Sequence, residues 1–275
     1  MKKQRIKWSN LYLVFVFVLL YLPIFYLIFY SFNAGGNMNG FTGFTWEHYQ
    51  AVFEDKRLLV IVLQTFLLAF LSALIATVIG TFGAMMIHST RTRQRRNVLL
   101  SANNILMVSP DVIIGASFLI FFTMLGVSLN FVSVMLSHVA FSIPIVVLMV
   151  LPKLKEMNPS LIDAGRDLGA TNWQIIRKVI IPYITPGIIA GYFMAFTYSL
   201  DDFAVTFFVT GNGFSTLSVE IYSRARQGIS LEINALSTLL FLFSMVLVTG
   251  YYFITQDKSR KKEKQARQKQ EVAAL

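Results

Sequence analysis

The 275-residue sequence has no cysteine, three histidines and only 14% charged residues. Without thiols it can form neither disulfides nor thiolate metal sites, and it carries no cysteine nucleophile. His48, His88 and His138 lie far apart in the chain without ligand spacing, so no metal site is indicated. No G-x-x-x-x-G-K-[ST] run occurs, so the chain does not cradle ATP phosphates in the P-loop manner. The shortage of charge, set beside 55% hydrophobic residues and a mean hydropathy of +0.61, excludes both a soluble globule and a disordered chain. Residues this apolar need lipid.

What the sequence does have is apolar runs, near 11–32, 58–87, 98–125, 128–151, 179–208 and 235–255. Each is long enough for a hydrocarbon core of about 30 Å, which takes about 20 helical residues. The expected fold class is therefore all-α, a polytopic membrane protein with six transmembrane helices. The first run is too long for a secretory signal and lacks a small-residue cleavage site, so it reads as a retained span. Twenty Lys and Arg fall in the head, at 88–97, at 152–178 and in the tail, while Lys56, Arg57, Arg224 and Arg226 alone fall in the other connections. Lys and Arg are held on the cytoplasmic side, which places both termini there. The formal charge of +10 then reflects topology and anionic lipid rather than nucleic acid. The chain divides into a cytoplasmic segment 1–10, a six-helix domain 11–255 and a basic cytoplasmic tail 256–275, to which no chemistry is assigned.

Ala76, Gly80 and Ala84 make a small-residue ridge in the second run, and Gly187 and Gly191 repeat the spacing in the fifth. Such ridges mark helix faces turned to protein, within the chain or at a subunit interface. Pro23, Pro110, Pro144, Pro182 and Pro186 fall in or beside the runs, where each either kinks a helix or starts one. Ser109-Pro110-Asp111 has the composition of a helix start, with Ser109 as N-cap.

The connection 158–182 carries the most informative pattern. Asn158-Pro159 opens a helix whose face holds Leu161, Ala164, Gly165 and Leu168, and Gly169 supplies a left-handed stop. Thr171 and Gln174 then form a capping-box pair that opens a second helix, running through Trp173, Ile175, Ile176 and Val179 to Pro182. A helix-turn-helix DNA reader has a similar pattern, but a connection held between two spans could hardly enter a DNA groove.

Asp163-Ala164-Gly165, three residues, Gly169, nine residues and Val179-Ile180-Ile181-Pro182 resemble the E-A-A-x-x-x-G-x(9)-I-x-L-P loop of ABC importer permeases. The spacing matches throughout; Asp replaces Glu, Gly replaces the second Ala, Val replaces Ile and Ile replaces Leu. The resemblance implies a MetI-like permease fold and a coupling helix that docks on a cytoplasmic ATPase, with Asp163, Ala164, Gly165, Gly169, Ala170 and Pro182 at the matching positions. It also implies that the chain is a transport subunit rather than an enzyme. ATP and Mg would be bound by the partner ATPase, with no cofactor on this chain.

Three acids stand in or beside apolar runs, where ionisable groups are functional candidates. Asp201 and Asp202 come late in the fifth run, and Asp111 near one end of the third. On a continuous helix Tyr198 shares a stripe with Asp202, and an aromatic ring beside a carboxylate suits a desolvated amine. Alternatively the fifth helix ends at these acids and leaves them in outer water. Candidates for the substrate pathway are thus Asp201, Asp202, Tyr198 and Asp111.

Ser199-Leu200-Asp201-Asp202-Phe203, Phe208-Val209-Thr210-Gly211 and Ile229-Ser230 with Glu232-Ile233-Asn234-Ala235-Leu236 resemble the spermidine/putrescine permease family, in its PotC-type branch. That resemblance implies a polyamine importer of the bacterial cell membrane. The implied partners are a second similar permease, two ATPase subunits and an extracytoplasmic binding protein. The outer segments 33–57 and 211–234, with Trp46, Glu47, Glu54, Asp55, Glu220 and Glu232, are candidates to touch that binding protein. Rival readings are a permease for another small cation, an ion-coupled secondary transporter, or a membrane enzyme, for which no set of catalytic groups has motif spacing.

Overall fold

A computed structural model describes residues 8–246 apart from Asn212 and Ile229, together with Thr249. The described residues are helical apart from short connections and one isolated bridge between Asn33 and Phe44. In chain order the helices are α1 (Trp8–Tyr30), α2 (Glu47–Glu54), α3 (Lys56–Ser89), α4 (Arg93–Val108), α5 (Asp111–Met124) and α6 (Phe131–Glu156). They continue with α7 (Ser160–Asp167), α8 (Asn172–Ile175), a π-helical turn Ile176–Ile180, α9 (Ile181–Asp201), α10 (Ala204–Val209), α11 (Leu217–Gln227) and α12 (Leu231–Val246).

Among the described residues four helices are long and apolar enough to cross a membrane: α1, α3, α6 and the continuous stretch Asn172–Asp201. The third run differs from expectation. It is broken between α4 and α5, which meet at 102°, so it is a bent pair rather than one straight span. Pro110 has no N–H to continue the ladder, and it biases Ser109 towards an extended backbone, observed at ψ 138°. Ser109 closes α4, its hydroxyl donating to the carbonyl of Ile105 at 2.8 Å; it is not the N-cap of α5. Of the sixth run the described residues include α12, and the rest of that run beyond it, apart from Thr249, lies with the tail 256–275 outside them.

The chain falls into two units, Met1–Lys56 with Arg224–Leu275, and Arg57–Ser223. In the first, α1 exposes aliphatic and aromatic side chains on all sides, a surface suited to lipid. The turn after it is wound around the Asn33 side chain, whose Nδ2 donates to the carbonyls of Asn37 and Gly40 while Oδ1 accepts the Thr42 N–H at 2.8 Å. Arg224 reaches Asp55 at 2.6 Å and Glu232 at 3.6 Å.

The second unit is built on α6, which packs against α9 and α4, with α5 against α10. One core cluster gathers Ala73, Ala84, Val146, Val150, Leu154 and Ile184. The small-residue ridge serves this packing: Ala76, Gly80 and Ala84 are all buried. A Cβ on Gly80 would lie 2.7 Å from the Cβ of Val146, closer than side chains can approach, so only glycine lets α3 and α6 meet there. A second cluster around Leu68, Ile114, Val134, Phe141, Val205 and Val209 holds α5 and α10.

Candidate functional site

The loop matching the permease pattern has the predicted cap chemistry. Asn158 Oδ1 accepts the Ser160 N–H at 3.0 Å, and α7 begins one residue later than the Pro159 start read from sequence. At the other end Ala170 N–H bonds back to the Gly165 carbonyl and Gly169 N–H to the Arg166 carbonyl, the paired bonds of a Schellman ending. Gly169 takes φ +75° to make that turn. Thr171 and Gln174 then bond reciprocally as a capping box. The second loop helix is not separate from the membrane, because it runs through the π turn into α9 as one stretch ending at Asp201. Ile181 N–H reaches back five residues to Ile176, and this wide turn directly precedes Pro182, which has no N–H to offer. The loop's outer side is apolar and uncovered: Leu161, Leu168 and Trp173 are exposed, Leu168 at 89%. Asp163 pairs with its neighbour Arg166, at 3.5 Å, and both are exposed.

Of the four candidate pathway residues, the structure joins two. Tyr198 on α9 donates its hydroxyl to Asp111 Oδ1 on α5 at 2.8 Å. Asp111 is the first residue of α5, where the positive end of the helix dipole favours a carboxylate. Tyr198 also lines a cavity of about 220 Å³, with Met107 of α4, Phe141, Ile145 and Met149 of α6, and Met194 of α9.

Tyr198 and Asp202 do not share a helical stripe, since α9 ends at Asp201 and Asp202 is its extended cap. Asp201 is exposed. Asp202 is buried rather than solvated, and its carboxylate opens α10: it accepts the N–H of Val205 at 3.3 Å, the N–H of Thr206 at 2.8 Å and the Thr206 hydroxyl at 2.7 Å. The break in the fifth run is thus stabilised by a side chain that caps the next helix.

The sequence reading missed His138. It is fully buried on α6, between Ser199 Oγ at 2.7 Å from Nδ1 and Thr206 Oγ1 at 2.8 Å from Nε2, with Asp202 Oδ2 at 3.6 Å. Ser199 meets Ser72 of α3 at 2.9 Å. Weighing the histidines only as metal ligands hid this; an ionisable ring in an apolar run was itself the signal. Among the described residues no three His, Asp or Glu side chains gather in a metal-binding group.

Of the outer residues, Trp46 is exposed, but Glu220 is buried against Arg57 at 3.3 Å and is not a surface group. Asp55 and Glu232 share Arg224, as described above.

Residues 77–257 match the family described as binding-protein-dependent transport system inner membrane component. The chain is 36% identical over 245 residues to the spermidine/putrescine transport system permease protein PotC of Escherichia coli (strain K12), covering 89% of this chain and 92% of that one. It is 31% identical over 242 residues to the putrescine transport system permease protein PotI of the same strain, covering 86% of each. Among solved structures, a bacterial ABC transporter involved in import of the acidic polysaccharide alginate superposes with a TM-score of 0.70 at 16% identity, covering 89% of this chain and 92% of that one. The MetNI methionine ABC transporter, in an inward-facing form, gives 0.59 at 22% identity, covering 71% and 93%. At these identities the superpositions speak for the fold. With an all-α, multi-pass architecture of the MetI-like kind, this chain belongs to the family of binding-protein-dependent transport system inner membrane components.

Proposed function

We propose that this chain is a permease subunit of an ATP-driven polyamine importer, lining half of the path for spermidine- or putrescine-like cations. The observation that carries the substrate class is Tyr198, which stands on the wall of an otherwise apolar cavity and is hydrogen-bonded to Asp111. An alkyl polyamine presents ammonium groups separated by methylenes. The carboxylate with the phenol takes an ammonium by charge-assisted bonding, and Phe141, Met149 and Met194 offer soft surface to the chain between. The names of the two similar permeases support the same class.

In this proposal the 158–182 loop docks on an ATPase subunit through Leu161, Leu168 and Trp173, whose exposure on a polar side of the membrane favours a protein partner. Asp163, Ala164, Gly165, Gly169, Ala170 and Pro182 shape that loop. Because α8, the π turn and α9 form one continuous helix, displacement of the loop is carried directly to Tyr198, and nucleotide-dependent contact at the loop biases the two access states. The assembly has a second similar permease, two ATPase subunits binding ATP and Mg, and an external binding protein. Both termini lie in the cytoplasm, by the distribution of Lys and Arg.

The test is uptake into proteoliposomes containing the whole assembly. Asp111→Asn keeps an acceptor for Tyr198 but removes the charge. It should raise the half-saturating spermidine concentration by about tenfold or more, as befits a charged hydrogen bond of about 1.5–3 kcal/mol. Unchanged uptake by Asp111→Asn would remove the pair from the path. Uptake that survives vanadate but stops with an ionophore would replace the ATPase mechanism with ion coupling.

A further inference from the structure

We infer that His138 is the positioning residue for the Tyr198–Asp111 pair, holding the last turn of α9 so that the phenol meets the carboxylate; this rests on the pathway role proposed for that pair. The direction of its hydrogen bonds follows from proton counting. The Asp202 carboxylate only accepts, so Thr206 gives it its hydroxyl proton. Thr206 Oγ1 is then left to accept, which makes His138 Nε2 the donor at 2.8 Å. A neutral imidazole has one donor nitrogen, so Nδ1 accepts from Ser199 Oγ at 2.7 Å; Ser199 in turn accepts from Ser72 at 2.9 Å, a closer partner for the Ser72 proton than the Ala69 carbonyl at 3.3 Å. The result is one directed chain, Ser72 to Ser199 to His138 to Thr206 to Asp202, joining α3, α9, α6 and α10 inside one unit.

That chain reaches Tyr198 by two routes. Ser199 is its neighbour in sequence, at the point where α9 is about to end and its last carbonyls lack helical partners. Through the rings, His138 lies 4.9 Å from Phe141, and Phe141 meets Tyr198 edge-on at 5.2 Å and 78°. A last turn with no continuing helix frays unless something outside it holds it. The His138 side chain touches both Ser199 and Thr206, one on each side of the break. His138 is not part of the cavity lining, and its ring packs against Phe141, which is, so it acts on substrate through its neighbours rather than by touching it.

The experiment places 3-fluorotyrosine at position 198 in the assembled transporter and follows its fluorine resonance beside spermidine uptake. His138→Phe keeps a ring and loses both hydrogen bonds, while His138→Asn keeps an acceptor for Ser199. In His138→Phe the resonance should shift or broaden, and the half-saturating spermidine concentration should rise about three- to tenfold, equivalent to losing one net hydrogen bond. His138→Asn should recover part of both. In a Tyr198→Phe background, His138→Phe should add no further rise. A resonance indifferent to His138→Phe, or additive effects in the double variant, overturns the inference. A purely structural histidine would lower the amount of folded transporter and leave the half-saturating concentration alone, which also overturns it. Should the resonance move while Tyr198→Phe alone leaves uptake unchanged, His138 positions Tyr198 as inferred and it is the pathway role of the pair that fails. If His138→Phe does not assemble, the same readings on His138→Asn decide.

Discussion

Gly169 allows the proposed coupling role of the 158–182 loop to be tested without touching any side-chain contact. Its φ of +75° lies in the left-handed region, and a Cβ built there meets nothing within 4 Å. Substitution therefore acts through backbone conformation alone. A non-glycine residue in that region loses about 1–2 kcal/mol, Asn less, and a β-branched residue more. Each 1.4 kcal/mol is about tenfold in an equilibrium ratio, so Gly169→Ala should lower the ratio of bent to unbent loop about tenfold, and uptake falls with it if only the bent loop engages the ATPase. The expected order of uptake is Gly, then Asn, then Ala, then Val, with ATP hydrolysis increasingly unresponsive to substrate. Uptake and hydrolysis measured together in proteoliposomes decide the matter. The reasoning is refuted if Gly169→Val transports normally, or if Gly169→Asn is as damaging as Gly169→Val, since bulk rather than φ would then be responsible.

Other outcomes follow from the same geometry. Gly165→Ala should stabilise α7 by about 0.5–1 kcal/mol and preserve uptake, because the new methyl makes ordinary contact with Ile175 at 3.5 Å; reduced uptake in intact assemblies would show that glycine is needed at the docking face. Gly80→Ala should destabilise the solubilised protein by about 1–3 kcal/mol, since its Cβ would crowd Val146, and Val146→Ala should relieve part of the loss in a thermal melt. Asp202→Asn should be more destabilising than Asp201→Asn, by about 1–3 kcal/mol, because an amide cannot reproduce three accepted bonds; equal melting of the two variants would contradict the capping role.

Much of this was legible in the chain. The apolar runs marked where helices lie though not where the third and fifth break, and the caps of the 158–182 loop were readable because a capping box and a left-handed glycine are local devices, decided by residues three or four apart. The ridge Ala76, Gly80, Ala84 was recognisable as a packing face, though not its partner, Val146. Reading stopped where partners are distant. The 102° bend at Pro110 could be suspected but not measured, and the end of α9 at Asp201 was one of two open alternatives.

The sequence by itself determined that this protein lives in lipid, is helical, and has a capped helix-glycine-helix connection at 158–182, because hydropathy and capping are written in short windows. Only the tertiary structure decided which acid meets which aromatic. Tyr198 finds Asp111 across 87 residues, and His138 finds Ser199 across 61, while Asp202, four residues from Tyr198, turns away to cap α10. In a bilayer each buried polar group must find a partner inside the protein, and the chain's bends determine which groups come within reach.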